Sequence, residues 1–282
     1  MSEKTVAILG ATGVVGQQML QCLEERDFPV GKLVPLASQR SVDAGKTVRF
    51  AVEDVPVRLA EPDAFEGVDI VLGAADDATA RALMPEAVKR GAVCVDNSHA
   101  FRMDADVPLV VPEINAADIA SHHGIIANPN CATIIGLVPV WPLHQAAGLT
   151  RLVVSTYQAA SGAGLPGLLE LEREIRCVAA GEEVGESKPF QYQLAENLIP
   201  QIGGFNEEGY TSEEMKMLNE GRKIMHLPEL RVNCTCVRVP VVRSHSESIT
   251  AEFERPISVE EARAALEAAP GVKVVDDPAA SR

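Results

Sequence analysis

The chain has 282 residues, room for two domains of ordinary size and near the upper limit for one hydrophobic core. Apolar residues make up 46% and charged ones 23%, the balance of a soluble globular protein and not of a disordered or fibrous one. Acidic residues outnumber basic ones 40 to 25, and the net charge of -15 repels a phosphate backbone, which argues against nucleic acid as a partner.

No window reaches the roughly 18 consecutive apolar residues of a membrane-spanning helix, so no membrane partner is expected. The N-terminus, MSEKTVAILG, lacks a basic segment followed by an apolar one, and a cytoplasmic location is expected. Cysteines stand at 22, 94, 131, 177, 234 and 236 without C-x-x-C spacing, so neither disulfides nor a metal site is indicated. Cys234 and Cys236 form only C-x-C and read as small buried hydrophobes.

Residues 5–9 form an apolar run ending in Gly10, and residues 14–25 carry the helical period, which gives a strand, a glycine turn and a helix. Further strands fall at 32–37, 68–72, 92–95 and 124–127, with a helix at 78–90. This alternation predicts an α/β domain over residues 1–130, a Rossmann-like doubly wound parallel sheet. Beyond it come a helix at 131–147, strands at 151–158, 231–242 and 248–254, a helix at 165–180 and a loop over 181–190. That pattern predicts a second, α+β domain over 131–282, with a last short strand at 272–276.

Gly10-Ala-Thr12-Gly13-Val14-Val15-Gly16 departs from the strict G-x-G-x-x-G form, yet it offers a tight turn, a bare backbone and a helix N-terminus for a pyrophosphate. An NAD-preferring site would place Asp or Glu at the end of the second strand. Here that position reads Ser38-Gln39-Arg40-Ser41, whose guanidinium and hydroxyls suit a 2'-phosphate, so NADP is expected over NAD. A solvated loop arginine is the plainer alternative.

In Asn128-Pro129-Asn130-Cys131 the cysteine opens the helical run, where unpaired amides and the helix dipole favour a thiolate; a buried inert thiol fits this local context equally well. Arg238 shares an alternating strand face with Cys234 and Cys236 and is expected to point inward. His245 lies between Ser244 and Ser246 and reads, from sequence alone, as a surface histidine. Glu213 and Lys216, three apart on a helix, read as a surface ion pair.

Taken together, GATGVVG (10–16), SQRS (38–41), NSHAFRMDADVPLVVPEIN (97–115), NPNCAT (128–133), STYQAASGAG (155–164), EEMK (213–216) and RVPVVRSHSES (238–248) closely resemble the aspartate-semialdehyde dehydrogenase family, from residue 5 to about 255. The resemblance implies NADPH-dependent reduction of L-aspartyl 4-phosphate to L-aspartate 4-semialdehyde, with release of phosphate, in lysine, threonine and methionine biosynthesis. It casts Cys131 as the nucleophile that forms a thioester, His245 as acid/base and Gln158 as the residue orienting the substrate. Arg238 then meets the substrate carboxylate, Glu213 its amino group, and Arg102, Asn130 and Lys216 its phosphate. Ser161 and Gly162 fall near the cofactor, and a homodimer is expected.

Two features depart from the family pattern. Asp76 and Asp77 replace a small neutral stretch near the cofactor, where they would be unwelcome beside a pyrophosphate; capping the helix near Ala78 is their plainer use. Family members also continue past the position of Arg282 through a strand and a helix that supply an asparagine near the nicotinamide, so that contact has no counterpart here. The chain thus reads as either shortened or reduced in competence. The alternatives are N-acetyl-gamma-glutamyl-phosphate reductase, with the same cysteine chemistry, and a non-catalytic NADP-binding relative.

Overall fold

The computed structural model describes residues 2–277 and 279 and divides into two units, residues 1–110 with 117–129 and residues 111–116 with 130–282. In the first unit, β1 (Lys4–Leu9), α1 (Val14–Glu25), β2 (Val30–Ala37), α2 (Gln39–Asp43), β3 (Thr47–Phe50), β4 (Glu53–Pro56) and β5 (Arg58–Leu59) follow one another. Next come β6 (Ile70–Gly73), α3 (Asp77–Lys89), β7 (Val93–Asp96) and, after the brief excursion of α4 (Pro112–Asn115) into the second unit, β8 (Ile125–Ala127). The main sheet has the order β5-β2-β1-β6-β7-β8 with every pair parallel, as the alternating pattern predicts. The direction of travel reverses between β1 and β6, and in such sheets ligands bind where the order switches.

β1 is short and almost wholly apolar because it is covered on both faces: Val6, Ala7 and Ile8 are completely buried. Gly10 follows at φ +88°, and a Cβ there would fall 2.5 Å from the Ala74 carbonyl at the end of β6. Gly16, one turn into α1, would bring a Cβ onto the Gly10 carbonyl. These two glycines let helix, turn and strand approach at backbone contact. Asp76 is the N-cap of α3, accepting from the Thr79 N–H at 3.0 Å, so the capping reading of that aspartate holds.

The second unit comprises α5 (Cys131–Ala147), β9 (Leu149–Gln158), α6 (Gly164–Ala180), α7 (Ser212–Ile224), β10 (Arg231–Arg238), β11 (His245–Phe253) and α8 (Val259–Ala268). Its mixed sheet is ordered β10-β9-β11, with β9 parallel to β10 and antiparallel to β11. α5 packs on β9 and β11, and α7 on β10.

Three expectations are corrected. The strand predicted at 231–242 ends at Arg238, since Pro240 has no N–H to donate to a ladder. The strand predicted from 248 starts at His245, which pairs with Gln158. Residues 272–276 form no strand, because among the described residues nothing pairs with them. Among the described residues no helix is long and apolar enough to cross a membrane, and no cluster of His, Cys, Asp or Glu is arranged to hold a metal.

Gly10→Ala would add both a disfavoured positive-φ conformation and a backbone collision. A loss of about 2 kcal/mol is expected, read as a lowered urea midpoint for the first unit.

Candidate active site

Strand register assembles the site. Across the face of the sheet that packs on the helices, Arg238, Gln158 and His245 occupy one row, and Cys236, Thr156 and Glu247 the row behind it. Neighbouring strands lie about 4.8 Å apart, so members of a row are side-chain neighbours. Arg238 and Gln158 are 6% and 1% exposed, and His245 is half-buried. Cys234 and Cys236 are buried on the same face, which is the inward placement expected for Arg238. Gln158 bonds through its side chain, with Oε1 accepting from the Thr156 hydroxyl at 2.9 Å and Nε2 donating to Glu213 at 3.0 Å.

Glu213 is the centre of this network. Its Oε1 accepts from Gln158 Nε2 and, at 2.9 Å, from Asn130 Nδ2; its Oε2 accepts from Lys216 Nζ at 2.8 Å. The Glu213–Lys216 pair is therefore no solvated surface bridge, since Glu213 is only 7% exposed. Burial pushes the carboxyl up, but the Lys216 ammonium and the two amides outweigh it and hold Glu213 below the usual carboxylate range.

Asn130 is the N-cap of α5, its Oδ1 accepting from the N–H groups of Ala132 at 3.0 Å and Thr133 at 3.2 Å. Its own N–H donates to Glu220 Oε2 at 2.7 Å. Glu220 is a residue that sequence reading missed. Its spacing of seven from Glu213 puts both carboxylates on one face of α7, a signal present in the pattern. Cys131 is the first residue of α5 and exposed, so the helix dipole acts on an accessible thiol. Asn130, which caps the helix that Cys131 opens, donates to Glu213, so the thiol follows directly in the chain on a member of the Glu213 network.

His245 differs from its sequence reading in a simple way. Ser244 and Ser246 are exposed as expected, but the strand pleat turns the residue between them to the opposite face. Its Nδ1 accepts from the Ala159 N–H at 3.0 Å. Burial, reinforced by the Arg238 charge, lowers its pKa, so near neutral pH the ring is uncharged with its proton on Nε2. Arg238 Nη1 donates to the Ala159 carbonyl at 2.7 Å. Gly162 lies against both side chains: a Cβ there would sit 2.7 Å from Arg238 Nη1 and 3.5 Å from the His245 ring. Ser161, in the same turn, donates its N–H to the Val242 carbonyl.

In the first unit, a cavity of about 520 Å³ opens at the switch point, with Gly10, Thr12, Gly13, Ser38, Gln39 and Asp76 among its lining residues. Val14, Val15 and Gly16 begin α1 behind the turn. Arg40 is exposed on α2, whereas Ser41 is buried at 6%. Arg102 is also buried, its Nη2 donating to the Asn97 carbonyl at 2.9 Å.

The Glu213 network generates a stability prediction. Lys216→Met would leave a buried carboxylate without its cation and cost about 2 kcal/mol near neutral pH. Because the folded pKa of Glu213 is depressed, its contribution is present above the ordinary value of 4.5 and lost as pH falls through the folded value. In the variant burial is no longer outweighed, so the Glu213 carboxyl moves up and its cost is relieved as it takes a proton: the gap in melting temperature between wild type and variant should narrow as pH falls from about 7 to about 4.

Residues 5–122 match the family model for the NAD binding domain of semialdehyde dehydrogenases, and residues 140–282 match their dimerisation domain. The aspartate-semialdehyde dehydrogenase of Bacillus subtilis (strain 168) is 49% identical, over 97% of this chain and 80% of its own length. That of Aquifex aeolicus (strain VF5) is also 49% identical, over 97% and 81%. Among solved structures, aspartate semialdehyde dehydrogenase II of Vibrio cholerae complexed with ASA superimposes with a TM-score of 0.94 at 44% identity, covering 97% of this chain and 81% of that one. The Candida albicans enzyme with NADP gives 0.70 at 26% identity, over 95% and 76%. With both halves matched and these relatives nearly half identical, the chain belongs to the aspartate-semialdehyde dehydrogenase family.

Proposed function

We propose that this chain reduces L-aspartyl 4-phosphate to L-aspartate 4-semialdehyde, releasing phosphate, through a thioester on Cys131. The observation that carries the reading is an exposed thiol at a helix N-terminus whose capping residue, Asn130, shares the Glu213 carboxylate with Gln158 of the buried row of Arg238, Gln158 and His245. Residues 1–130 would form the NADP-binding domain and residues 131–282 the catalytic and dimerisation domain.

The Cys131 thiolate attacks the acyl carbon and expels phosphate, which leaves an enzyme-bound thioester. A bound nicotinamide cofactor supplies the hydride that reduces it. His245 holds its proton at Nε2, where it can hydrogen-bond the developing oxyanion and protonate sulfur as the thiolate departs. Gln158, fixed by Thr156 and Glu213, orients the acyl group. Arg238, buried and anchored at one nitrogen, offers its remaining donors to the substrate carboxylate, and Glu213 meets the ammonium. Arg102, Asn130 and Lys216 are the proposed phosphate contacts.

The cavity of the first unit suits a dinucleotide: the bare turn at Gly10 leaves its backbone approachable, and the start of α1 faces an anion favourably. We assign NADP to it because Ser38 is at its wall and Arg40 is exposed in the adjoining helix. Ser161 and Gly162 are proposed to meet the cofactor from the turn after β9. A homodimer is supported by the dimerisation-domain match and by exposed Leu165, Leu169, Tyr192 and Phe205 in the second unit.

In the reverse direction, purified protein should reduce NADP when given L-aspartate 4-semialdehyde and phosphate, and should reject N-acetylglutamate 5-semialdehyde. Cys131→Ala is expected to lower kcat by more than about 1,000-fold and His245→Gln by about 100-fold or more; a Cys131→Ala protein that keeps its rate overturns the mechanism. Arg40→Ala should raise KM for NADP about tenfold while leaving that for NAD unchanged.

A further inference from the structure

Directly behind His245 the structure makes two unfavourable choices that face each other. Glu247, two residues along β11 and on the same face, has both carboxyl oxygens buried without a hydrogen-bond partner. Opposite it, the interior of α5 carries Gly136, although glycine within a helix costs about 1 kcal/mol relative to alanine. A Cβ on Gly136 would lie 2.5 Å from Glu247 Oε2 and 3.2 Å from Met217 Cε, so the glycine makes the space that the carboxyl fills. Gly136 is five residues from Cys131 on α5, and Glu247 sits beside Thr156, whose hydroxyl orients Gln158. Paired departures from local preference of this kind mark a functional constraint.

We propose that Glu247 is a positioning residue: wedged against Gly136, it sets the helix bearing Cys131 against the strand bearing His245. The role rests on the enzymatic reading above. Burial, with no cation to offset it, pushes the Glu247 carboxyl up to about 8, so it is protonated near neutral pH. Its titratable surroundings are His245 on its own strand and, on β10, Cys236 in its own row and Cys234, whose thiol is pushed up first by its contact with Cys236, then by burial, and last by Glu247 and Glu214 of α7. On α5 its Oε2 faces Gly136, and Met217 of α7 reaches the same spot. Ionisation would place an uncompensated charge between α5 and β11 and loosen their packing.

The test compares wild type with E247Q, G136A and the double variant G136A/E247A, reading kcat and KM from pH 6 to 9.5 and the rate of Cys131 alkylation by iodoacetamide. In wild type kcat should fall as pH rises through about 8; E247Q, which cannot ionise, should keep at least about a third of the pH 7 rate and lose that limb. G136A should lower kcat about tenfold with KM within about threefold, and G136A/E247A should recover most of it, because the collision is removed. An E247Q profile that superimposes on wild type, or a double variant no better than G136A, overturns the proposal. If wild type itself fails to turn over, the enzymatic reading falls and alkylation decides the rest: slowing in G136A with recovery in the double variant supports the wedge, and equal rates overturn it.

Discussion

A carboxylate cannot be buried without compensation, and in the second unit the compensation of Glu213 is what gathers the site. Uncompensated, such a charge would cost several kcal/mol. It is neutralised by three donors drawn from three elements: Gln158 from the end of β9, Asn130 from the cap of α5 and Lys216 from its own helix. Two of the donors are tied to the proposed function, since Asn130 precedes the proposed nucleophile and Gln158 stands in the row with Arg238 and His245. Electrostatic necessity and catalytic geometry therefore select the same arrangement, and Glu220 repeats the device one step away by taking the Asn130 backbone N–H.

The three-stranded sheet supplies the second organising element. Because β9 runs parallel to one neighbour and antiparallel to the other, residues far apart in sequence enter one row without a long loop to hold them. Side chains on β-strands are placed more reproducibly than side chains on loops, which suits groups that must meet a reacting carbon within a fraction of an ångström.

Much of this was legible in the sequence, for reasons that particular residues make plain. The first unit announces itself because its strands are short apolar runs broken by Gly10, Gly91 and Gly124, and α1 was bounded to the residue by the glycine turn. Local chemistry also gave Cys131 its helix N-terminus. The β3–β4 hairpin was missed because its turn uses Ala51 and Val52 at positive φ, where glycine or asparagine would have signalled it. The helix at Val259–Ala268 did carry a signal, Ser258 capping the Glu261 N–H, that went unread. His245 was misjudged because its neighbours are polar, although in a strand neighbours face the other way. Glu213 looked like an ordinary helix surface pair, because the donors that bury it come from positions 130 and 158, and no local window joins them.

Ala159 does more than end a strand. Its N–H holds the imidazole of His245 and its carbonyl holds the guanidinium of Arg238, so two side chains assigned different tasks hang from the backbone of one small residue. Any tremor of that backbone carries both groups together and leaves their separation unchanged. The second unit thus contains a fixed ruler, with one end proposed to meet a carboxylate and the other the carbonyl being reduced, and its length is written in main-chain geometry that substitution of the side chain at 159 cannot readily edit.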